Sequence, residues 1–371
     1  MSGHAHASLP AWTWIAPLLA AVLLALKFAH LVPSDAVWVL VMAGVLLGAA
    51  VFAAVHHAEV LALKLGEPFG SILLAIAVTV IEVALIVSIM LSGAKGSEVV
   101  ARDTVFAAVM IVLNGVIGLC LLMGGRRHFE QRFQLQGAAS ALAVLGTLAA
   151  LTLILPNFTL TVSGPSFSAA QITVVGAASL VLWGVFVFVQ TVKHRAYFLD
   201  APVSAEPESE EDEPSSEKPS NREAMICLGL LLVSLVAVVL LAKILSYPLD
   251  MGIAAAGLPH AFVGVVIAAI VLLPEGIAAA KSAVKNQLQN SINLALGSAI
   301  ASIGLTIPTV AIVSLALNQN LVLGISPANM TLLTLTLFVG TLTLGTGRTT
   351  VLQGAIHVVI FAVFLLVSAV P

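Results

Sequence analysis

The chain has 371 residues, of which 60% are hydrophobic and 9% charged, with a formal net charge of −3. Globular domains in water carry roughly 25% charged residues, so this composition excludes a surface wetted all round and makes the lipid bilayer the main partner. No run of Lys and Arg interleaved with aromatic residues is present, so nothing suggests nucleic acid as a partner.

Apolar stretches long enough to cross about 30 Å of hydrocarbon, about 20 residues each as a helix, recur along the whole sequence. Eleven spans are predicted, at 12–30, 36–55, 69–92, 104–124, 138–155, 169–192, 224–246, 256–281, 290–317, 328–346 and 350–370. The first has no Lys or Arg before it and no small-residue cleavage site after it, so a retained helix is expected rather than a signal peptide. His4 and His6, ahead of it, read as incidental rather than as metal ligands. Cys120 and Cys227 fall within spans and read as small packing residues, with neither zinc spacing nor a disulfide framework.

The connections divide by charge. Even-numbered connections carry eleven Lys and Arg residues, from Lys64 to Arg348, whereas odd-numbered ones carry Lys95 and Arg102. Cytoplasmic loops hold the basic excess, so the N-terminus is expected inside and the C-terminus outside, in the inner (plasma) membrane of a bacterium. Between the sixth and seventh spans, residues 196–223 form a Pro-, Ser- and Glu-rich stretch with too little apolar surface to fold alone, read as a cytoplasmic linker.

The expected fold is all-α and polytopic. Residues 1–35 hold the tail and first helix, 36–195 one set of five helices, and 224–371 another. Five is odd, so the two sets have opposite orientations, as in inverted repeats that place a transport site at mid-membrane. A short match supports this duplication. Glu67 and Phe69 precede Glu82 by fifteen and thirteen positions, and His260 and Phe262 precede Glu275 by the same spacings. Each motif lies on the second helix of its set.

Glu82 and Glu275 are the candidates to carry the chemistry, with a protonated Glu that hydrogen-bonds a neighbouring helix as the alternative for each. An ionised side chain at a helix centre costs about 2.5–3.5 kcal/mol on insertion scales, so two at matched positions point to a site for a cation and a proton competing for the same oxygens. Thr79, one turn before Glu82, and Asn114, Ser298 and Ser302, near the middle of later helices, are candidate neutral ligands for a hard cation; helix–helix hydrogen bonding is the alternative for each. Asn293 shares an N-x-x-x-G pattern with Asn114 but sits near a helix start. Pro274 and Gly276, flanking Glu275, are expected to kink or unwind that helix. Glu67 and His260 open their helices on opposite sides and are candidates for gating or pH sensing.

The segments GEPFGSILLAIAVTVIEVALI (66–86), LPHAFVGVVIAAIVLLPEGIAAAKSA (258–283) and NLALGSAIASIGLTIPTVA (293–311) resemble the alpha repeats of the calcium/cation antiporter superfamily. Within it the chain is similar to the bacterial ChaA-type sodium-potassium/proton and calcium/proton antiporters. The resemblance implies that Glu82 and Glu275 bind cation and proton alternately, and that Asn114 and Ser298 or Ser302 complete the site. It implies no cofactor beyond the transported Ca²⁺, Na⁺ or K⁺ and H⁺. Calcium/proton exchangers carry a Gly-Asn pair a few residues before each glutamate, where this chain has VTVIE and VLLPE. Fewer neutral oxygens then surround each carboxylate, which favours monovalent over strictly calcium exchange.

The expected function is therefore secondary transport, exchanging cytoplasmic Na⁺, K⁺ or Ca²⁺ for external protons, and not enzymatic. Two rivals stand beside it. A cation channel would want a filter-like run, which is missing, and an intramembrane metal-dependent enzyme would want an H-E-x-x-H motif, which His56 and His57 do not form.

Overall fold

The computed structural model describes residues 10–33, 36–66, 69–92, 96–199, 219–317 and 319–371. Within them, 11 helices are long and apolar enough to cross a membrane. These are α1 (Ala11–Phe28), α2 (Val37–Leu65), α3 (Phe69–Ser92), α4 (Val100–His128), α5 (Leu135–Phe158), α6 (Ala169–Lys193), α7 (Asn221–Ala255), α8 (Ala261–Val284), α9 (Leu288–Leu317), α10 (Pro327–Leu344) and α11 (Val351–Ala369).

One helix meets each expected span. The largest extensions are at α2, where good helix formers continue past the apolar stretch, and at α7, which runs on through Pro248 and Gly252 to Ala255. Helix α2 runs through Glu59, Leu61 and Lys64 and stops at Gly66, whose φ of 73° suits a residue without a Cβ. At 29 residues it is about 43 Å long, enough to cross with a tilt. Helix α7 begins with a reciprocal cap, in which the Ser220 N–H donates to Glu223 Oε2 at 2.8 Å and the Glu223 N–H to Ser220 Oγ at 3.2 Å. Similar boxes open α6, between Ser168 and Gln171, and α11, between Thr350 and Gln353. The linker is thus shorter than the expected 196–223. Phe198 is buried edge-on against Phe186 at 5.8 Å, Arg195–Phe198 forms a 3₁₀ turn, and α7 starts at Asn221. The acidic run from Glu206 to Glu217 lies outside the described residues, as do His4, His6 and Glu67.

By contacts the chain forms two compact units, residues 1–77 with 218–248 and residues 78–217 with 249–371. Each draws on both halves of the sequence, so compactness does not follow the repeat boundaries. In the first unit α1 lies along α2, where His57 Nε2 donates to the Thr13 carbonyl at 2.9 Å. Lys64 Nζ donates to the Pro219 carbonyl at 2.7 Å and ties the end of α2 to the start of α7.

The second unit is built around α4, which packs against α8 and α11, while α9 packs against α5, α6 and α8. Glycines permit the closest crossings. A Cβ at Gly264 of α8 would lie 2.7 Å from the Asp103 and Thr104 backbone, so α8 and α4 meet almost backbone to backbone. Strands β1 (Glu130–Arg132) and β2 (Arg348–Thr350) pair antiparallel, with Gln131 opposite Thr349, and join the connection after α4 to the one before α11. Helix α4 is not uniform. Its residues Ile111–Val116 form a π turn, which inserts extra backbone into the middle of the span.

Candidate functional site

Helix α9 brings the candidate residues together. Its stretch from Ala295 to Ser302 is rich in Ala, Ser and Gly, and small side chains allow neighbouring helices to approach closely. Ser298 and Ser302 are four residues apart, hence on one face and about 6 Å apart along the axis. Ser302 Oγ donates to Glu82 Oε1 of α3 at 2.6 Å, and Ser298 Oγ donates to Glu275 Oε2 of α8. One helix face therefore reaches both repeat-related glutamates. Glu82 is 3% exposed and Glu275 5%.

Beside Glu275 lies a small cavity of about 10 Å³, lined by Glu275 and Gly276 of α8, Ser298 of α9, and Val112 and Val116 of the π turn. That space is about enough for one water-sized particle. The wall it presents is apolar, because the Glu275 and Ser298 oxygens are turned to each other rather than into the space. Among the described residues, no three His, Cys, Asp or Glu side chains gather as a metal site.

Pro274 and Gly276 do not break their helix. Helix α8 is continuous from Ala261 to Val284, and Pro274 is buried within it. A proline removes one N–H from the ladder, here the donor to the Ile270 carbonyl, and packing on a buried helix can hold the remaining turns. Gly276 instead permits close approach, because a Cβ there would lie 3.2 Å from Val116 Cγ2 across the cavity.

The other predicted residues are distributed more widely. Thr79 is buried one turn before Glu82 on α3. Asn114 is fully buried in the π turn, but its amide engages α10 and α11 rather than the glutamates. It donates to Thr336 Oγ1 at 2.9 Å, and its Oδ1 faces His357 Nδ1 at 3.0 Å. Asn293 lies away from the site, donating to the Phe198 carbonyl at 2.5 Å. His260, half-exposed where α8 begins, pairs with Asp250 Oδ1 of α7 at 2.5 Å.

Three features escaped the sequence reading. Asp103 is buried and held by Arg102 Nε at 2.7 Å, because α4 begins at Val100, earlier than the predicted 104. His357, mid-way along the apolar α11, is 1% exposed, and its rarity in such a span was the available signal. The π turn around Asn114 has no compositional signature.

Known proteins supply an independent comparison. The y4hA protein of Sinorhizobium fredii, named for ionic transport, is 59% identical over 365 residues, covering 98% of each chain. The sodium-potassium/proton antiporter ChaA of Escherichia coli is 34% identical over 331 residues, 89% of this chain and 88% of that one. Among solved structures, native YfkE superposes with a TM-score of 0.72 at 15% identity, over 97% of this chain and 100% of that one. The H⁺/Ca²⁺ exchanger CAX superposes with a TM-score of 0.67 at 15% identity, over 96% and 89%. These superpositions establish a polytopic fold shared with cation exchangers, in keeping with inverted repeats. The family described as sodium/calcium exchanger protein matches residues 35–192 and 226–370. With both halves of the sequence matched and 34% identity to a full-length antiporter, the chain belongs to the sodium/calcium exchanger family of multi-pass cation antiporters.

Proposed function

We propose that this chain exchanges Na⁺, K⁺ or Ca²⁺ for protons at Glu82 and Glu275, by alternating access. The observation that carries the reading is the pair of serines on one face of α9, each donating to one of the two glutamates. Two buried carboxylates left both ionised and empty would be penalised by about 5–7 kcal/mol on insertion scales, which suppresses reorientation of the empty site about 10⁴-fold. The carrier then moves readily only when a cation or protons neutralise the pair. Exchange rather than leak follows from that restriction.

The serine hydroxyls fit both loadings, since a hydroxyl donates to an ionised carboxylate and offers lone pairs to a cation. Thr79, buried one turn before Glu82, would add a further oxygen. The absence of amides before either glutamate favours monovalent cargo, and similarity to a protein named as a sodium-potassium/proton antiporter supports the same choice. Proton uptake from outside and cation extrusion from the cytoplasm fit an orientation with the basic connections inside, in a bacterial inner membrane.

The test is purified protein in proteoliposomes with an imposed pH gradient, read by a pH-sensitive dye while Na⁺, K⁺, Ca²⁺ and Mg²⁺ are added in turn. Collapse of the gradient by Na⁺ or K⁺ is expected. If no cation collapses it, proton antiport is wrong. Glu82→Gln and Glu275→Gln keep the shape and remove the charge, so each is expected to abolish exchange, and activity surviving in either would remove that residue from the site.

A further inference from the structure

Four buried polar side chains form a directed chain that runs through the π turn of α4. His357 Nδ1 lies 3.0 Å from Asn114 Oδ1, an acceptor, so that ring nitrogen is the donor. The other nitrogen, Nε2, lies 3.1 Å from Thr343 Oγ1, which donates to it in the neutral ring. The Asn114 amide passes the direction on to Thr336 Oγ1 at 2.9 Å, and Thr336 donates to Met110 Sδ at 3.5 Å. His357, Asn114, Thr336 and Thr343 are each at most 3% exposed, so bulk water does not replace a missing partner.

The surroundings are built for this contact. Gly118 lies four residues after Asn114, on the same face of α4, and a Cβ there would sit 2.9 Å from His357 Cβ. A Cβ at neighbouring Gly115 would meet the Phe361 ring at 3.3 Å. Only residues this small let α11 approach closely enough for the imidazole to reach Asn114. The π turn that carries Asn114 also carries Val112 and Val116, two positions away on either side, and both line the cavity at Glu275. An irregular turn of this kind persists when tertiary partners hold it.

We propose that His357 is a positioning residue for the cation site: by holding Asn114 it fixes the π turn of α4 whose Val112 and Val116 shape the cavity at Glu275. Asn114 is on this account an anchor rather than a cation ligand. The inference rests on the reading that Glu275 and Glu82 bind the cation.

The full chain in proteoliposomes tests it, with half-saturating Na⁺ or K⁺ concentration and maximal rate measured separately. His357→Leu deletes the donor to Asn114 and is expected to raise the half-saturating concentration about tenfold, with the maximal rate within about twofold of wild type. His357→Asn keeps an N–H near the Nδ1 position and is expected to restore affinity to within about threefold. Asn114→Leu combined with His357→Leu should be no worse than either alone, since the two act as one unit. Gly118→Ala, which pushes α11 away, should reproduce the His357→Leu result. Should His357→Leu fail to fold, Thr343→Val decides, because it removes one hydroxyl at nearly constant shape and is expected to weaken affinity several-fold. Unchanged affinity in His357→Leu or in that substitute, equal damage in His357→Asn and His357→Leu, or a fall in maximal rate alone overturns the positioning role. Glu82→Gln run in parallel separates the two claims. Exchange surviving in that variant overturns the site itself, and the positioning role with it.

Discussion

Replacing Ser302 with alanine removes one oxygen and little else. That oxygen donates to Glu82 at 2.6 Å, and both groups are at most 3% exposed, so water does not enter freely to replace the lost bond. Hydrogen bonds to charged groups contribute roughly 1.5–3 kcal/mol, and 1.4 kcal/mol is a factor of ten, so the half-saturating cation concentration should rise about 10- to 100-fold. The hydroxyl orients the empty carboxylate and is available as a ligand in the loaded site, so the loss falls on affinity. Maximal rate should change by no more than about threefold, because the carboxylates that govern reorientation are retained. The assay is gradient collapse in proteoliposomes, titrated separately with Na⁺, K⁺ and Ca²⁺. Ser302→Thr keeps the hydroxyl and serves as the control expected to retain affinity. If Ser302→Ala folds normally and its half-saturating concentration stays within about twofold of wild type for every cation, Ser302 does not contribute to the site.

Other consequences follow from the packing. Gly264→Ala places a methyl 2.7 Å from backbone that has no side-chain freedom to yield, and should lower stability by about 1–3 kcal/mol, measured as thermal unfolding in detergent. Arg102→Met leaves Asp103 buried without its guanidinium partner and should destabilise by roughly 3–5 kcal/mol, whereas Arg102→Met with Asp103→Leu should recover much of that loss. Equal stability of the single and double variants would show that the pair does not matter as a pair. Asp250→Asn removes the carboxylate that faces His260 where α8 begins, and should slow exchange in proteoliposomes if the pair gates the site. An unchanged rate would exclude a gating role for that pair.

Much of the architecture was legible because lipid restricts the possibilities severely. A backbone in hydrocarbon must satisfy its own hydrogen bonds, so each long apolar stretch becomes a helix, and the predicted spans agree with α1–α11. Glu82 and Glu275 stood out for a related reason, since a carboxylate at such depth is rare. The end of α2 was less legible, because helix propensity, not hydrophobicity, extends it, and α7 continues through Pro248 and Gly252 against propensity. Pro274 misled in the opposite direction. Its missing N–H is a local fact, but whether the helix opens there depends on the packing around it, and α8 remains closed.

Composition and spacing alone thus determined that the chain crosses the membrane eleven times and that two matched glutamates are its most expensive residues. They could not determine which hydroxyl serves which carboxylate. Ser302 meets Glu82 across 220 positions of sequence, and His357 meets Asn114 across 243. Both pairings depend on the crossing of helices, which glycines and small residues set by permitting close approach at particular turns. The π turn in α4 belongs to the same class, since an extra residue in a helical turn is stabilised by what surrounds it. Only the tertiary structure sets the Asn114 side chain against Thr336 and His357.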